Sequence, residues 1–160
     1  MRLHADCTRI ISAESAKHLG AVRDLFAEYA RSLDIDLCFQ GFAQELAGLP
    51  GLYAPPRGKL LLALEAGAPA GCVALRPLSD SICEMKRLFV RPAFRRKGLG
   101  RALALEAIQA GRSLGYAQMR LDTLTSLRKA IALYESLGFQ RIEPYYESPS
   151  DRIVFMELRL

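Results

Sequence analysis

Nowhere in the 160 residues does an apolar run approach the roughly 20 that a membrane-spanning helix requires. A spanning protein is therefore not expected. Behind the charges of Met1-Arg2-Leu3-His4-Ala5-Asp6 there is no apolar signal core, so export through a leader peptide is not expected either. Cysteine is scarce and scattered (Cys7, Cys38, Cys72, Cys83), with no C-x-x-C pair, which argues against a disulfide framework or zinc ribbon. The reading is of reduced, mostly buried thiols in a cytoplasmic protein. The two histidines, His4 and His18, have no cysteine or histidine at ligand spacing, so no metal site is expected. Internal repeats, low-complexity tracts and linkers are also missing, and a mass of 17.7 kDa suits a single domain over 1–160. Apolar residues at 51% and charged residues at 24% supply a core and exclude global disorder.

Acidic residues are missing from one informative place. Between Lys86 and Arg101 lie seven cations (Lys86, Arg87, Arg91, Arg95, Arg96, Lys97, Arg101) and no acid. Removing those seven from the 22 leaves 15 cations against 17 acids, so the net +5 is concentrated in one segment. A nucleic-acid surface spreads Lys and Arg along a whole face. One dense segment fits a compact anionic ligand better.

The periodicities give an element order. Arg9-Ile10-Ile11 reads as a first strand, and Ser12 or Ser15 can cap a helix through Ala21, Val22, Leu25, Phe26 and Tyr29. A short helix over Phe42–Ala47 stops at Gly48-Leu49-Pro50-Gly51, and Leu52–Gly58 is a proline-stiffened loop. Leu60–Leu64 and Gly71–Leu75 flank the turn Ala66-Gly67-Ala68-Pro69 as an antiparallel hairpin. A strand over Ile82–Val90 stops at Arg91-Pro92. A long helix then follows, with Leu99, Leu103, Ala107, Ala110 and Leu114 on one stripe, ended by Gly115. Gln118–Asp122 is a strand, Ser126–Leu137 a helix closed by Gly138, and two strands finish the chain, one from Phe139 and one over Arg152–Leu158. This order predicts an α/β (α+β) fold, a mixed sheet with helices on both faces.

The segment Leu88-Phe89-Val90-Arg91-Pro92-Ala93-Phe94-Arg95-Arg96-Lys97-Gly98-Leu99-Gly100-Arg101 joins a strand end to a helix start. The first turn of a helix offers unpaired N–H groups and the positive end of its dipole, which together hold a phosphate. Gly98 and Gly100 remove Cβ atoms from the backbone's approach to a pyrophosphate, and the neighbouring cations add charge-assisted bonds. The spacing is that of neither a P-loop nor a three-glycine dinucleotide fingerprint. Two isolated glycines would by themselves only start a helix. The coincidence with seven cations and a strand stop favours an anion site.

Arg95-Arg96-Lys97-Gly98-Leu99-Gly100 resembles the R/Q-x-x-G-x-G/A signature of the GNAT superfamily of N-acetyltransferases. Ala132-Leu133-Tyr134-Glu135-Ser136-Leu137-Gly138-Phe139 is similar to that superfamily's L-Y-x-x-x-G-F motif, in the right order and at the right separation. The resemblance spans about Lys59 to Leu158. It implies a GNAT-like, mostly antiparallel central sheet flanked by helices, with a splayed parallel strand pair at the cofactor cleft. It implies acetyl-CoA as co-substrate, no metal, and direct transfer to a primary amine. By the same resemblance Arg95, Arg96, Lys97, Gly98, Leu99 and Gly100, with Arg101 adjacent, hold the pyrophosphate, and the backbone of Leu88, Phe89 and Val90 pairs with the pantetheine arm.

Tyr134 matches the family tyrosine that protonates or hydrogen-bonds the departing thiolate. Amine attack on a thioester gives a tetrahedral intermediate whose collapse is easier when the developing sulfur charge meets an O–H donor. Helical spacing alone makes Tyr134 a core residue among Ala130, Ile131, Leu133 and Leu137; the motif favours catalysis. A lysine-like amine of pKa ~10.4 is mostly protonated at pH 7, and freeing its lone pair costs roughly 4–5 kcal/mol. Glu84 stands where several GNAT enzymes carry a base; its alternative is an exposed strand carboxylate neutralising Lys86 or Arg87. Asp122 is a weaker candidate. Where many members carry an asparagine seven residues before the tyrosine, Leu127 stands here, with Ser126 beside it either as a substitute cofactor contact or as a helix N-cap.

By the same resemblance the acceptor is expected to be a small-molecule or peptide amine, with small amine, antibiotic, amino acid, peptide N-terminus and protein lysine all left open. Its specificity is expected from the first two helices, the Leu49–Gly58 loop and Glu143-Pro144-Tyr145-Tyr146-Glu147, where the tyrosines can line a pocket and the carboxylates attract a cation. Neither nucleic acid nor a membrane is an expected partner, and the exposed strands are compatible with a homodimer. Two rival readings are a CoA-binding module without catalysis and a basic nucleic-acid-binding module.

Overall fold

The computed structural model describes residues 7–33 and 35–160, and of Cys38 and Phe39 the backbone only. The readings made of His4 and of the Cys38 thiol therefore fall outside the described residues. Seven strands, β1 (Thr8–Ser12), β2 (Lys59–Glu65), β3 (Ala68–Pro77), β4 (Ile82–Val90), β5 (Gln118–Leu124), β6 (Gln140–Ile142) and β7 (Ile153–Arg159), form one sheet in the order β1-β2-β3-β4-β5-β7-β6. Every neighbouring pair is antiparallel except β4 and β5. Four helices, α1 (Ala16–Ser32), α2 (Phe42–Ala47), α3 (Leu99–Ser113) and α4 (Arg128–Ser136), cover both faces.

Side-chain alternation in the strands divides the core. Leu61, Val73, Met85, Met119, Leu121 and Met156 pack on Leu103 and Ala107 of α3 and Ile131 of α4. Leu62, Cys72 and Ala74 pack on Val22, Leu25 and Phe26 of α1. The expected mixed sheet, mostly antiparallel and flanked by helices, is the one observed. Among the described residues no helix is long and apolar enough to cross a membrane.

Two local devices shape the site. The β2–β3 turn is Ala66-Gly67 at φ 50° and 83°, the left-handed pair that a two-residue hairpin requires. Arg87, at φ 61°, bulges β4, and the β3–β4 register shifts there. Gly71 permits the close approach beside the bulge, because a Cβ on it would lie 2.7 Å from the Phe89 carbonyl oxygen. The parallel pairing of β4 with β5 stops after three residues, Ile82–Glu84 against Gln118–Arg120. Beyond that point the two strands diverge, which is the splayed parallel pair.

Several element boundaries differ from those the periodicities predict. β5 runs to Leu124 because its partner β7 starts at Ile153 opposite it. α4 begins at Arg128 with Leu127 as N-cap and no side-chain cap, so Ser126 is not the cap. Ser15, not Ser12, caps α1, accepting from the His18 amide at 3.1 Å. A 3-10 turn over Pro92–Phe94, started by the fixed φ of Pro92, sits between β4 and α3. Cys72 and Cys83 are buried as expected, but Cys7 is exposed, since it precedes the edge strand β1.

Candidate active site

The divergence of β4 from β5 opens a groove of about 1100 Å³. Leu88, Phe89 and Val90 form one wall, and Ser126 to Ala130, Leu133 and Tyr134 the other. The Arg95–Gly100 turn closes one end, and Tyr29 and Ser32 of α1 and the C-cap Leu33 reach the groove as well. The six site residues of that turn, apart from Lys97, line it. Lys97 instead reaches Glu65 at 2.6 Å, and Arg101 donates to Ser136 Oγ at 3.1 Å.

The turn has the chemistry of an anion cradle. Among the described residues the amides of Arg96 and of Gly98 to Arg101 take no backbone acceptor, the first α3 bond being Ala102 N–H to the Gly98 carbonyl. Gly98 sits at φ 77°, where a side chain is strained, and a Cβ there would meet nothing within 4 Å. A Cβ on Gly100 would have only Val90 Cγ2 near it, at 3.9 Å. The bare backbone therefore answers no packing demand of the protein and leaves room for a ligand. Arg95 is braced, its Nε donating to the Val90 carbonyl at 2.8 Å and its guanidinium lying 5.7 Å from the Phe89 ring centroid. These residues fit a coenzyme diphosphate.

The seven cations that are contiguous in sequence separate in space. Arg91 reaches back to Glu28 of α1 at 2.6 Å. Arg87 is buried and grips Glu45 of α2 through two nitrogens, at 3.0 and 2.9 Å. Lys86 is buried 3.6 Å from Asp122. The single-patch reading is thereby corrected: Arg95 and Arg96 remain at the groove, joined from α4 by Arg128 and Lys129.

Beside the groove, on the face that carries α1 and α2, lies a polar layer. Glu84 is 1% exposed, accepting from Arg76 Nε at 2.8 Å and from the Tyr145 hydroxyl at 2.5 Å. The alternative of an exposed carboxylate neutralising Lys86 or Arg87 is thus wrong, because β3 supplies Arg76 directly opposite it in the register. Asp122 accepts from Gln40 Nε2 at 3.0 Å and from the Tyr146 hydroxyl. Gln40 Oε1 in turn accepts from Lys86 at 3.1 Å and from Arg87 at 2.9 Å. Tyr145, Tyr146 and Phe155 pack edge to face, with centroids 4.9 to 5.5 Å apart. Burial pushes Lys86 below the ordinary lysine value, against the pull of Asp122. Burial raises Asp122, but the Lys86 charge and the Tyr146 hydroxyl bring it below the ordinary aspartate value. Glu143 and Glu147 are exposed on the loop that turns the two tyrosines inward.

Tyr134 is buried at the groove wall, its ring 5.7 Å from Phe139. Among the described residues its hydroxyl takes no hydrogen bond. Burial, then the Tyr29 phenol and the Asp122 charge, raise it above the ordinary tyrosine value, so it stays an O–H donor. Arg76 and Gln40 were not anticipated. The first has a sequence signal, since Arg76 and Glu84 flank one turn at a spacing that sets them opposite; Gln40 has none.

A strand-turn-helix anion cradle on a splayed parallel pair, with a phenol across the cleft, defines an acyl-carrier transferase fold. Residues 19–139 match the model of the acetyltransferase (GNAT) family, and the chain belongs to that family. An N-acetyltransferase of Schizosaccharomyces pombe is 45% identical over 138 residues, covering 85% of each chain. The solved ribosomal-protein-S18-alanine N-acetyltransferase of Escherichia coli is similar with a TM-score of 0.70 at 25% identity, over 95% of this chain and 93% of its own. A GNAT family acetyltransferase from Elizabethkingia anophelis with acetyl-CoA bound has the same fold, TM-score 0.71 at 20% identity, over 98% of this chain and 100% of its own.

Proposed function

We propose that this acetyltransferase moves an acetyl group directly from acetyl-CoA to a primary amine. The observation that carries the reading is the groove between β4 and β5, which has unpaired amides and two Cβ-free positions at one end and the Tyr134 hydroxyl on its wall. The amides of Arg96 and of Gly98 to Arg101, with the Arg95 and Arg96 side chains, would hold the diphosphate. The Leu88–Val90 backbone would pair with the pantetheine amides, and Ser126 would lie beside that arm. Bound there, acetyl-CoA supplies the activated acetyl thioester.

Tyr134 keeps its proton at Oη and offers it to the departing sulfur as a hydrogen bond. Glu84 is the base of this reading. Its free access is blocked by Arg76 and Tyr145, so the amine proton reaches it through the Tyr145 hydroxyl, which already donates to Glu84. A second reading gives the proton to Asp122. It is favoured by position, since Lys86 and Asp122 lie two residues further along β4 and β5 than the Glu84–Arg120 pair, toward the opening. The polar layer also favours an enzyme over a module that only binds CoA.

The test combines calorimetry with acetyl-CoA and thiol release against a panel of amines. Tyr134→Phe keeps acetyl-CoA affinity and slows turnover by roughly 10- to 1000-fold; unchanged turnover removes Tyr134 from the mechanism. Glu84→Gln and Asp122→Asn are then compared by pH–rate profile, the base being the residue whose loss abolishes the acidic limb. No heat with acetyl-CoA overturns the whole reading.

A further inference from the structure

Deepening that reading and resting on it, we propose that the acceptor is an amino carboxylate, its carboxylate held by Arg76 and Arg120 while its amine faces the groove. The register places Arg76 of β3, Glu84 of β4, Arg120 of β5 and Glu157 of β7 in one row on one face of the sheet. Signs alternate along the row, but depth does not follow sign evenly. The Glu84 side chain is 1% exposed, whereas Arg76 and Arg120 on either side of it are 30% and 28% exposed. A ligand approaching between Arg76 and Arg120 therefore meets guanidinium before the Glu84 carboxylate, while Glu157, 21% exposed, lies on the far side of Arg120.

Both guanidiniums are anchored by one nitrogen. Arg76 donates Nε to Glu84 at 2.8 Å, and Arg120 donates Nε to Glu157 at 2.8 Å. Among the described residues their terminal nitrogens take no acceptor, so each keeps donors in a planar edge suited to a carboxylate. Arg120 is further fixed 5.3 Å from the centroid of Tyr145, whose hydroxyl is itself held by Glu84. Glu84 needs one cation for its charge and has it in Arg76, while Arg120 has its own partner in Glu157. The row is thus neutral as it stands, and what it offers a ligand is the terminal guanidinium donors of Arg76 and Arg120 on either side of Glu84.

The spacing suits a small amino acid. Lys86 and Asp122 form the next row on the same face, two residues on, which is about 6.6 Å along the strands. An amine directed past Asp122 toward the groove leaves its carboxylate over Arg76 and Arg120.

The test uses the purified protein, acetyl-CoA and matched acceptor pairs. These are L-α-amino acids beside their amides, and straight-chain amino acids of two to five carbons beside alkylamines of equal length. The best acceptor is expected to be an amino carboxylate, favoured in kcat/KM at least tenfold over its neutral partner. In Arg120→Gln and Arg76→Lys that ratio falls at least fivefold, carried by a rise in KM for the amino carboxylate. A ladder serving only the fold moves the melting temperature and leaves the ratio alone, which overturns the proposal, as does a preference for neutral or dicationic amines. Calorimetry separates the two levels: acetyl-CoA binding without an amino-carboxylate preference ends only this inference, and no acetyl-CoA binding ends the acetyltransferase reading beneath it.

Discussion

Asp122 and Lys86 face each other at 3.6 Å with side chains 10% and 3% exposed, so neither charge has much water to fall back on. Replacing Asp122 by Asn removes the counter-charge and leaves the Lys86 ammonium buried beside the Gln40 carbonyl. Breaking a buried pair from one side costs about 3–5 kcal/mol. The sign of the pH dependence follows from the depressed native value of Asp122. Its ionised form stabilises the fold fully above the unfolded aspartate value of about 3.9, and that contribution is lost as pH falls through the lower folded value. Urea denaturation of wild type and Asp122→Asn is therefore expected to show the full gap at pH 7 and at pH 5, narrowing only below about pH 4. A gap that stays constant down to pH 2.5 contradicts an ionised native Asp122.

Among the elements, the first turn of α3 makes the sharpest claim, because Gly100 weakens a helix without relieving any clash. Gly100→Ala is expected to raise stability by about 0.5 kcal/mol through a better helix former and a less flexible unfolded chain. The same methyl stands in the cradle, and acetyl-CoA affinity falls tenfold or more by calorimetry. Stability and affinity that move together would show that Gly100 serves the fold. This turn was legible because its signal is local: a strand stop and two glycines within fourteen residues, with a helical stripe starting at Leu99. The strands Ile82–Val90 and the helix Phe42–Ala47 were legible for the same reason. The fate of the cations was not. Arg91 meets Glu28 across 63 positions, Arg87 meets Glu45 across 42 and Lys97 meets Glu65 across 32, contacts that only the folded sheet creates. Tyr145 and Tyr146 could be nominated as pocket residues, but their carboxylate partners depend on the β5–β7 register, which no short-range pattern encodes.

In the molecule as a whole, the sheet has a seam. β1 to β4 and β5 to β7 are joined by three parallel residue pairs, whereas β5 and β7 share seven and β1 and β2 five. Beyond Glu84 the inner edges of β4 and β5 are left to the groove, so a carrier lying between them ties the two halves together. At a hundredfold excess over Kd a ligand that binds only the native state adds about 2.7 kcal/mol, which for a chain of this size corresponds to about 5–10 °C in Tm. Any tight ligand gives that shift, so its location is the informative quantity, and hydrogen exchange reads it. Acetyl-CoA is expected to slow exchange at Arg96–Arg101, along Leu88–Val90 and in the first turns of α4. Adenosine 3′,5′-bisphosphate, which lacks the pantetheine arm, is expected to protect Arg96–Arg101 and leave Leu88–Val90 exchanging as in the free protein. If acetyl-CoA protects only the α3 turn, the carrier does not lie along the seam, and the groove wall that holds Tyr134 is not where the thioester reacts.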